Sequence, residues 1–490
     1  MLVASVVIYL VVTIAIGLWA AKRVHNSKDF LIAGRSLPLY MNVATVFATW
    51  FGAETVLSVS ATFAKDGLGG IVADPFGSSF CLFFVALFFA RAFYRMDLLT
   101  IGDFYKKRYG KPVEVATSVT ITASYLGWTS AQLTALGLAF SVLSGGALSF
   151  TEGIVLGAVI VLGYTIWGGM WSVAWTDLFQ TVIIVLGLWA IAWLVGDMAG
   201  GPGKVVGAAF EAGKLDFWPK GGTKEWLAFV AAWMTLAIGS IPQQDVFQRV
   251  TSAKDESTAV KGSLIGGAAY FVFAFVPIYI AYSAIVIDPA LRELFRAEDA
   301  REIQRILPDL ILSRTPLWAQ IVFFGALLSA ILSTASGAVL APTGLFTENV
   351  LRPFVPHMSD RQFLLTLRIV LVTFTLAALL FALNSKSTMY EMVQNAYKVT
   401  LVGAFVPLAA GLFWKRANAS GAVTSILLGL VSWFLMEAFG ADSIWPPQLV
   451  GLACALLGML AGSLASPPPH PVHHAAHAAP HPPSRGGSQP

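Results

Sequence analysis

Charge is scarce in this chain. Of 490 residues only 12% are Asp, Glu, Lys or Arg, about half of the roughly 25% that a soluble domain carries. That deficit excludes a cytosolic enzyme, and 57% hydrophobic residues with a mean hydropathy of +0.72 exclude a disordered chain. Cysteine is nearly absent. Cys81 and Cys454 both sit in apolar runs, so neither a disulfide framework nor a zinc site is implied, and a secreted scaffold is excluded. The net charge of +4 is small and scattered, which argues against a nucleic-acid partner. There is no metal-ligand cluster, nucleophile elbow or pair of catalytic acids on one apolar run, so the chain is not read as an enzyme.

What is present is a series of apolar stretches. A bilayer core takes about 20 residues per helix. Thirteen candidates lie at about 2–21, 39–64, 71–93, 113–143, 153–169, 173–196, 226–248, 263–286, 317–343, 367–383, 389–413, 421–440 and 447–464. The first is followed by Lys22 and Arg23, lacks a cleavage context, and reads as a retained span. With the N-terminus outside, the cytoplasmic loops hold 19 of the 31 Lys and Arg, including Lys106, Lys107 and Arg108 in one short loop. Thirteen spans then put the C-terminus in the cytoplasm. The expectation is an all-α polytopic membrane protein with a transmembrane domain over residues 1–465. The segment 466–490 is rich in Pro, Ala and His (His470, His473, His474, His477, His481) and reads as a disordered tail with incidental histidines, metal binding being the alternative.

Two spans carry helix breakers near mid-depth. Span two reads Ala48-Thr-Trp-Phe-Gly-Ala-Glu54, and span seven reads Ala237-Ile-Gly-Ser-Ile-Pro-Gln-Gln244. A break inside a membrane is tolerated where the freed backbone meets protein, water or an ion. The two spans are five apart, as in two five-helix repeats of opposite orientation, about 39–196 and 226–413. Paired interruptions of this kind point to a transporter site at the midplane.

Three motifs resemble the sodium:solute symporter family. Phe30-Leu-Ile-Ala-Gly-Arg-Ser36 is similar to the segment that precedes the family's first core helix. Gly168-Gly-Met-Trp-Ser-Val-Ala-Trp-Thr-Asp177-Leu-Phe-Gln180 resembles its most specific signature. Leu327-Leu-Ser-Ala-Ile-Leu-Ser-Thr334 is similar to its sodium-binding segment. The resemblance covers about residues 2–464. It implies a leucine-transporter-like 5+5 inverted repeat with one span before it and two after, and sodium-coupled uptake by alternating access. It places the sodium ligands at the carbonyls of Ala48, Phe51 and Ala330 and the hydroxyls of Ser333 and Thr334. Sodium is a hard cation and suits such oxygens. Ser329, Ser333 and Ser336 recur at i, i+4, i+7, a hydroxyl stripe whose alternative reading is helix packing with each hydroxyl bonded to its own backbone. Asp177, a carboxylate inside a span, is implied to lie on the sodium path. The alternative is a cap on the N-terminus of span six.

The substrate is read from the residues near the breaks. Trp50 and Glu54 are i, i+4 neighbours, as are Trp128 and Gln132 on span four, and Asp74 lies at similar depth. Tryptophan with carboxylate suits a cationic amine. Ala48-Thr-Trp50, Trp128-Thr-Ser-Ala-Gln-Leu-Thr-Ala-Leu-Gly137 and Ile241-Pro-Gln-Gln-Asp-Val-Phe-Gln-Arg-Val250 look like stretches of high-affinity choline transporters within the family. Trp50 and Trp128 match two tryptophans of that group's aromatic cage. Gln243 stands where the group has a third, and Ser78 replaces a tyrosine. Glu54 matches a polar substrate-contacting position of the family's sugar carriers. The expected substrate is therefore an amine-bearing cation or zwitterion, choline-like or an amino acid such as proline. A monocarboxylate or sugar carrier is the alternative. The expected substrate contacts are Trp50, Glu54, Asp74, Trp128, Gln132 and Gln243. Trp226 and Trp445, at span ends, read as interfacial anchors. Lys398 and Glu391, seven apart in span eleven, read as a structural pair or as water-facing residues.

The expected partners are sodium, a small organic solute and the lipid bilayer of a cell membrane, such as a bacterial inner membrane. A competing reading is a solute sensor, the same fold being used as a membrane input module. It is disfavoured here because only 26 residues follow Leu464.

Overall fold

The computed structural model describes residues 1–294, 300–355, 357–440 and 442–466; the histidines of the C-terminal tail lie outside the described residues. Among the described residues every element is helical, apart from one isolated bridge between Leu37 and Ala253. Ten helices are long and apolar enough to cross a membrane, or eleven when a bent pair is taken as one span. The main elements are Leu2–Ala21 (α1), the bent pair Leu39–Trp50 (α2) and Glu54–Asp66 (α3), Leu68–Arg95 (α4), Lys111–Leu143 (α5) and Phe150–Met198 (α6). They continue with Thr223–Ala237 (α7) and Gln244–Thr251 (α8). Then come Glu256–Ile287 (α9), Leu317–Phe354 (α10), Asp360–Asn384 (α11), Met389–Phe413 (α12), Ala419–Phe439 (α13) and Pro447–Ala465 (α14). Short connecting helices lie between them.

Polarity sorts these helices from the inside outward. The most apolar windows of α5 and α10 are 78% and 83% buried, whereas those of α1 and α13 are 22% buried. The central helix α5 hides Ser118, Ser124, Thr129, Ser130 and Gln132, while α13 turns Leu427, Leu428, Val431 and Phe434 outward. Lipid tails offer a hydroxyl no partner, so spans that carry hydroxyls and amides must face other helices. Trp226 and Trp445 are both about half exposed, at 43% and 53%.

The expected interruptions are both present. α2 and α3 meet at 55°, with Phe51 between them at φ −86°, ψ 76°. The expected span at 226–248 is two pieces of 15 and 8 residues, α7 and α8, neither of which reaches the length a bilayer requires. Gly239 lies in the gap, and its freed carbonyl accepts from Thr400 Oγ1 at 2.7 Å. The two broken spans are joined to one another. Asn42 Nδ2 donates to the Arg249 carbonyl at 2.7 Å, and Arg249 Nε donates to Thr49 Oγ1 at 2.9 Å.

The stretches expected at 153–169 and 173–196 form one 49-residue element, α6, which turns at Gly169 (φ 47°, ψ −135°). A straight helix of that length would run about 73 Å, against a hydrocarbon core of about 30 Å. The turn divides that length in two. A Cβ at Gly169 would stand 2.3 Å from the Phe30 carbonyl oxygen, so both the backbone angle and the packing require glycine here. Gly169→Ala is therefore expected to destabilise the fold by at least about 1–2 kcal/mol from the left-handed backbone alone. Thermal unfolding in detergent measures this, with Gly163→Ala, which meets open space, as the control expected to stay near wild type.

Candidate functional site

The break in α2–α3 leaves the Ala48 carbonyl without a helical partner, and α10 supplies two. Ser333 Oγ and Thr334 Oγ1 each donate to Ala48 O at 3.1 Å. Ser333 Oγ also lies 3.0 Å from Ala330 O. Ala48, Ala330, Ser333 and Thr334 are thus brought together and are fully buried. Phe51 lies in the break itself. The next residue, Gly52, packs so closely that an added Cβ would stand 2.8 Å from Thr334 Oγ1. The hydroxyl stripe on α10 divides into two kinds. Ser329 bonds its own backbone at Gly325 O and meets Tyr9 OH, and Ser336 bonds Ser333 O. Only Ser333 and its neighbour Thr334 reach across to the broken helix, so the packing alternative holds for two of the stripe's three serines and not for the third.

Glu54 opens α3, on the far side of the break. Its Oε2 accepts from Gln132 Nε2 at 2.6 Å, and its Oε1 from the Trp128 indole at 3.4 Å. Gln132 Oε1 in turn accepts from the Ala53 amide at 3.2 Å. The two i, i+4 pairs of the sequence therefore meet as one group. Asp74 stands apart from it. Its carboxylate accepts from the Tyr270 hydroxyl and from Thr55 Oγ1, the latter at 3.3 Å. Asp74 has extended backbone angles (φ −138°, ψ 121°), the conformation a residue before proline is pushed toward.

The aromatic wall is larger than expected. Tyr397 of α12 stacks on Trp50 (centroids 6.1 Å apart, 7° between planes) and lies 6.0 Å from Trp128. Tyr270 of α9 meets Trp50 edge-on at 6.4 Å. Neither tyrosine stood out in the sequence, where nothing distinguishes them from other buried aromatics. Gln243 does not join the wall. Its amide donates to Ser124 Oγ at 3.1 Å and Thr400 Oγ1 at 3.4 Å, which tethers the second break to α5 and α12.

Asp177 is fully buried, and neither of its carboxylate oxygens has a hydrogen-bond partner among the described residues. It lies eight residues past the Gly169 turn, beyond the first helical turn in which a capping side chain could reach free amides. The capping alternative therefore fails on position. A buried cation was missed. Arg249 is 2% exposed, its Nη2 is unpartnered, and its charge acts on both Asp177 and Asp245. The signal was available, since an arginine beside Gln248 within a broken span is rare by default. The Lys398–Glu391 pairing is corrected. Lys398 Nζ pairs with Glu437 of α13 at 3.2 Å, while Glu391 caps its own helix by accepting from the Thr388 amide at 2.9 Å. A capping box fixes a carboxylate at the helix start, which outcompetes a partner two turns away. A cavity of about 350 Å³ lies beyond α3, lined in part by Ser58, Thr62, Asp66, Gln304, Tyr390 and Gln394.

Comparison with known proteins places the whole chain. The chain is 26% identical to the high-affinity choline transporter 1 of Caenorhabditis elegans over 88% of its length and 76% of the relative's. It is 25% identical to the sodium/glucose cotransporter of Vibrio parahaemolyticus over 86% of its length and 82% of that protein's. Among solved structures, a substrate-bound, outward-open sodium-coupled sialic acid symporter superposes with a TM-score of 0.79 at 18% identity, covering 95% of this chain and 98% of the other; that likeness shows the fold. The model of the sodium:solute symporter family matches residues 30–429. The chain is a multi-pass membrane protein and belongs to the sodium:solute symporter family.

Proposed function

We propose that this protein is a sodium-coupled symporter that takes up a small amine-bearing cation or zwitterion, choline-like or an amino acid such as proline, across a cell membrane by alternating access. The observation that carries the reading is the meeting of Ser333 and Thr334 with the freed Ala48 carbonyl. These oxygens, with those of Ala330 and Phe51, form a ligand set suited to a hard monovalent cation. Counting α6 as two spans and each broken pair, α2–α3 and α7–α8, as one gives thirteen, with the N-terminus outside and the C-terminus in the cytoplasm. Repeat one runs from α2 to α6 and repeat two from α7 to α12, each beginning with a broken span. In this orientation the cavity beyond α3 is the outer approach. Asp177, between the sodium ligands and the cytoplasm, attracts the ion on its way through.

Trp50, Trp128 and Tyr397 form the cage for the amine, with Glu54, Gln132 and Asp74 as its polar contacts and Gln243 at its edge. The relatives named as choline transporters favour this class. One sodium ion moving down 100 mV supplies about 2.3 kcal/mol, and a tenfold gradient adds about 1.4 kcal/mol. Together these support roughly 500-fold accumulation of a neutral or zwitterionic solute.

Three outcomes are expected in proteoliposomes carrying an inward sodium gradient. First, wild type accumulates labelled choline or proline only with sodium outside, and Ser333→Ala with Thr334→Ala raises the sodium requirement by at least about tenfold, the scale of one lost hydrogen-bonding ligand to a charge. Unchanged sodium dependence in the double variant would remove the site assignment. Second, Asp177→Asn lowers sodium affinity while protein abundance holds, because the charge rather than the shape draws the ion. Wild-type affinity in this variant would make Asp177 purely structural. Third, Trp50→Leu or Trp128→Leu weakens substrate binding by about 1–2 kcal/mol, as loss of a desolvated cation–π contact does, and the Phe variants lose less. Equal binding by Leu and Phe variants would show that the tryptophans only pack.

A further inference from the structure

The five oxygens assigned to sodium are all uncharged. Such oxygens can replace a cation's hydration shell, and a nearby anion adds an attraction that is strong in a buried site. The geometry brings one such anion to the site. The point where a Cβ of Gly52 would stand is 2.8 Å from Thr334 Oγ1 and 2.5 Å from Glu54 Oε2. Carboxylate and hydroxyl therefore flank one small space, at the break that frees the Ala48 carbonyl. Gly52 is what keeps this space open, since a methyl would fill it. Oε2 accepts one short hydrogen bond from Gln132, and a carboxylate oxygen can accept a second. Asp74 has different surroundings. Its partners are Tyr270 and Thr55, and Tyr270 is the ring set edge-on to Trp50.

The two buried carboxylates thus differ in their surroundings: Glu54 stands between the α10 hydroxyls and Trp128, and Asp74 beside Tyr270 and Thr55. Among the described residues no Lys or Arg side chain hydrogen-bonds to or pairs with either carboxylate. Arg249, which shares a small cavity with Trp50, gives its Nε to Thr49 and faces the charges of Asp177 and Asp245. Two anions without a resident cation match two cations that arrive. Arg249 has an unpartnered Nη2 but is already outnumbered by Asp177 and Asp245, so a zwitterionic cargo would add a further negative charge to a group that has no positive charge to spare.

We propose that Glu54 is the charge partner of the sodium ion and Asp74 that of the cargo, and that the cargo is an organic cation bearing no carboxylate of its own. The assignment rests on the sodium-symport reading above. It gives a direct route for coupling. Glu54 is tied to Trp128 by the indole and to the sodium hydroxyls by proximity, so an ion that fixes the Glu54 carboxylate also fixes one wall of the cage.

The test titrates sodium alone, with potassium as the balancing ion, against the thermal unfolding of the purified full chain. Wild type is expected to be stabilised by sodium. Glu54→Gln is expected to raise the half-saturating sodium at least about tenfold, as loss of a charge a few ångströms away requires, and Glu54→Asp less. Asp74→Asn is expected to leave the sodium titration near wild type while weakening protection by choline. Glycine betaine, the carboxylate-bearing counterpart of choline, is expected to protect far less than choline. A wild-type sodium titration in Glu54→Gln overturns the assignment and leaves symport standing, whereas no sodium effect in wild type overturns symport itself. Equal protection by betaine and choline overturns the exclusion of carboxylates. The wild-type chain supplies a test that needs no variant to fold. Two positive charges should enter per choline in proteoliposomes, and a ratio of one would contradict the pairing of two cations with two carboxylates.

Discussion

The rest of the site depends on one unsatisfied backbone group. Inside a bilayer a carbonyl released by a helix break has no water to turn to, and leaving it bare costs several kcal/mol. The break after Trp50 creates that situation at Ala48, and the hydroxyls of Ser333 and Thr334 meet it. The same contact closes α2 onto α10, joining residues 285 and 286 positions apart in the chain. Groups that satisfy a carbonyl here are groups that can surround a hard cation. Structural necessity and ion binding therefore call for the same residues, and the site requires no feature that the fold does not already need.

The second break obeys the same constraint with a different outcome. Thr400 satisfies the Gly239 carbonyl and also accepts from Gln243, so the loop between α7 and α8 is tied to α12 and α5 by side chains alone. A carboxylate stands beside this break too, but Asp245, in the first turn of α8, is held by the Tyr125 hydroxyl and by the charge of Arg249. The two broken spans differ in chemistry. The first gathers hydroxyl and carbonyl oxygens and a carboxylate. The second carries the buried Arg249 and is buttressed against α2 by Asn42 and Thr49.

The helical class and the interrupted spans were legible in the sequence because each has a local cause, whereas the oxygens assigned to sodium were placed by the resemblance to a family. Gly52, Gly239 and Pro242 weaken a helix locally, although Pro342 sits inside α10 without ending it, and a hydroxyl pair at 333–334 is visible without a structure. The turn at Gly169 was legible as a gap between two apolar stretches, although the chain runs through it as one element. What could not be read was lateral proximity. Tyr397 and Tyr270 join Trp50 only because α12 and α9 pack against α2, and no periodicity within those helices announces it. The same holds for Lys398, whose partner Glu437 lies on another helix while Glu391, the candidate on its own helix, is held by a cap. The split of the serine stripe into packing and reaching members depends on rotation of α10, which the i, i+4 spacing leaves open.

The central claim is that the oxygens gathered at the first break hold sodium. The most direct measurement is a pair of high-resolution electron cryomicroscopy maps of the full chain, one in sodium and one in potassium. The account predicts density between the Ala48 and Phe51 carbonyls, Ala330 and the Ser333 and Thr334 hydroxyls in sodium, at oxygen distances short enough for an ion, and its loss in potassium. Identical maps, with both hydroxyls still donating to Ala48 in sodium, would contradict it.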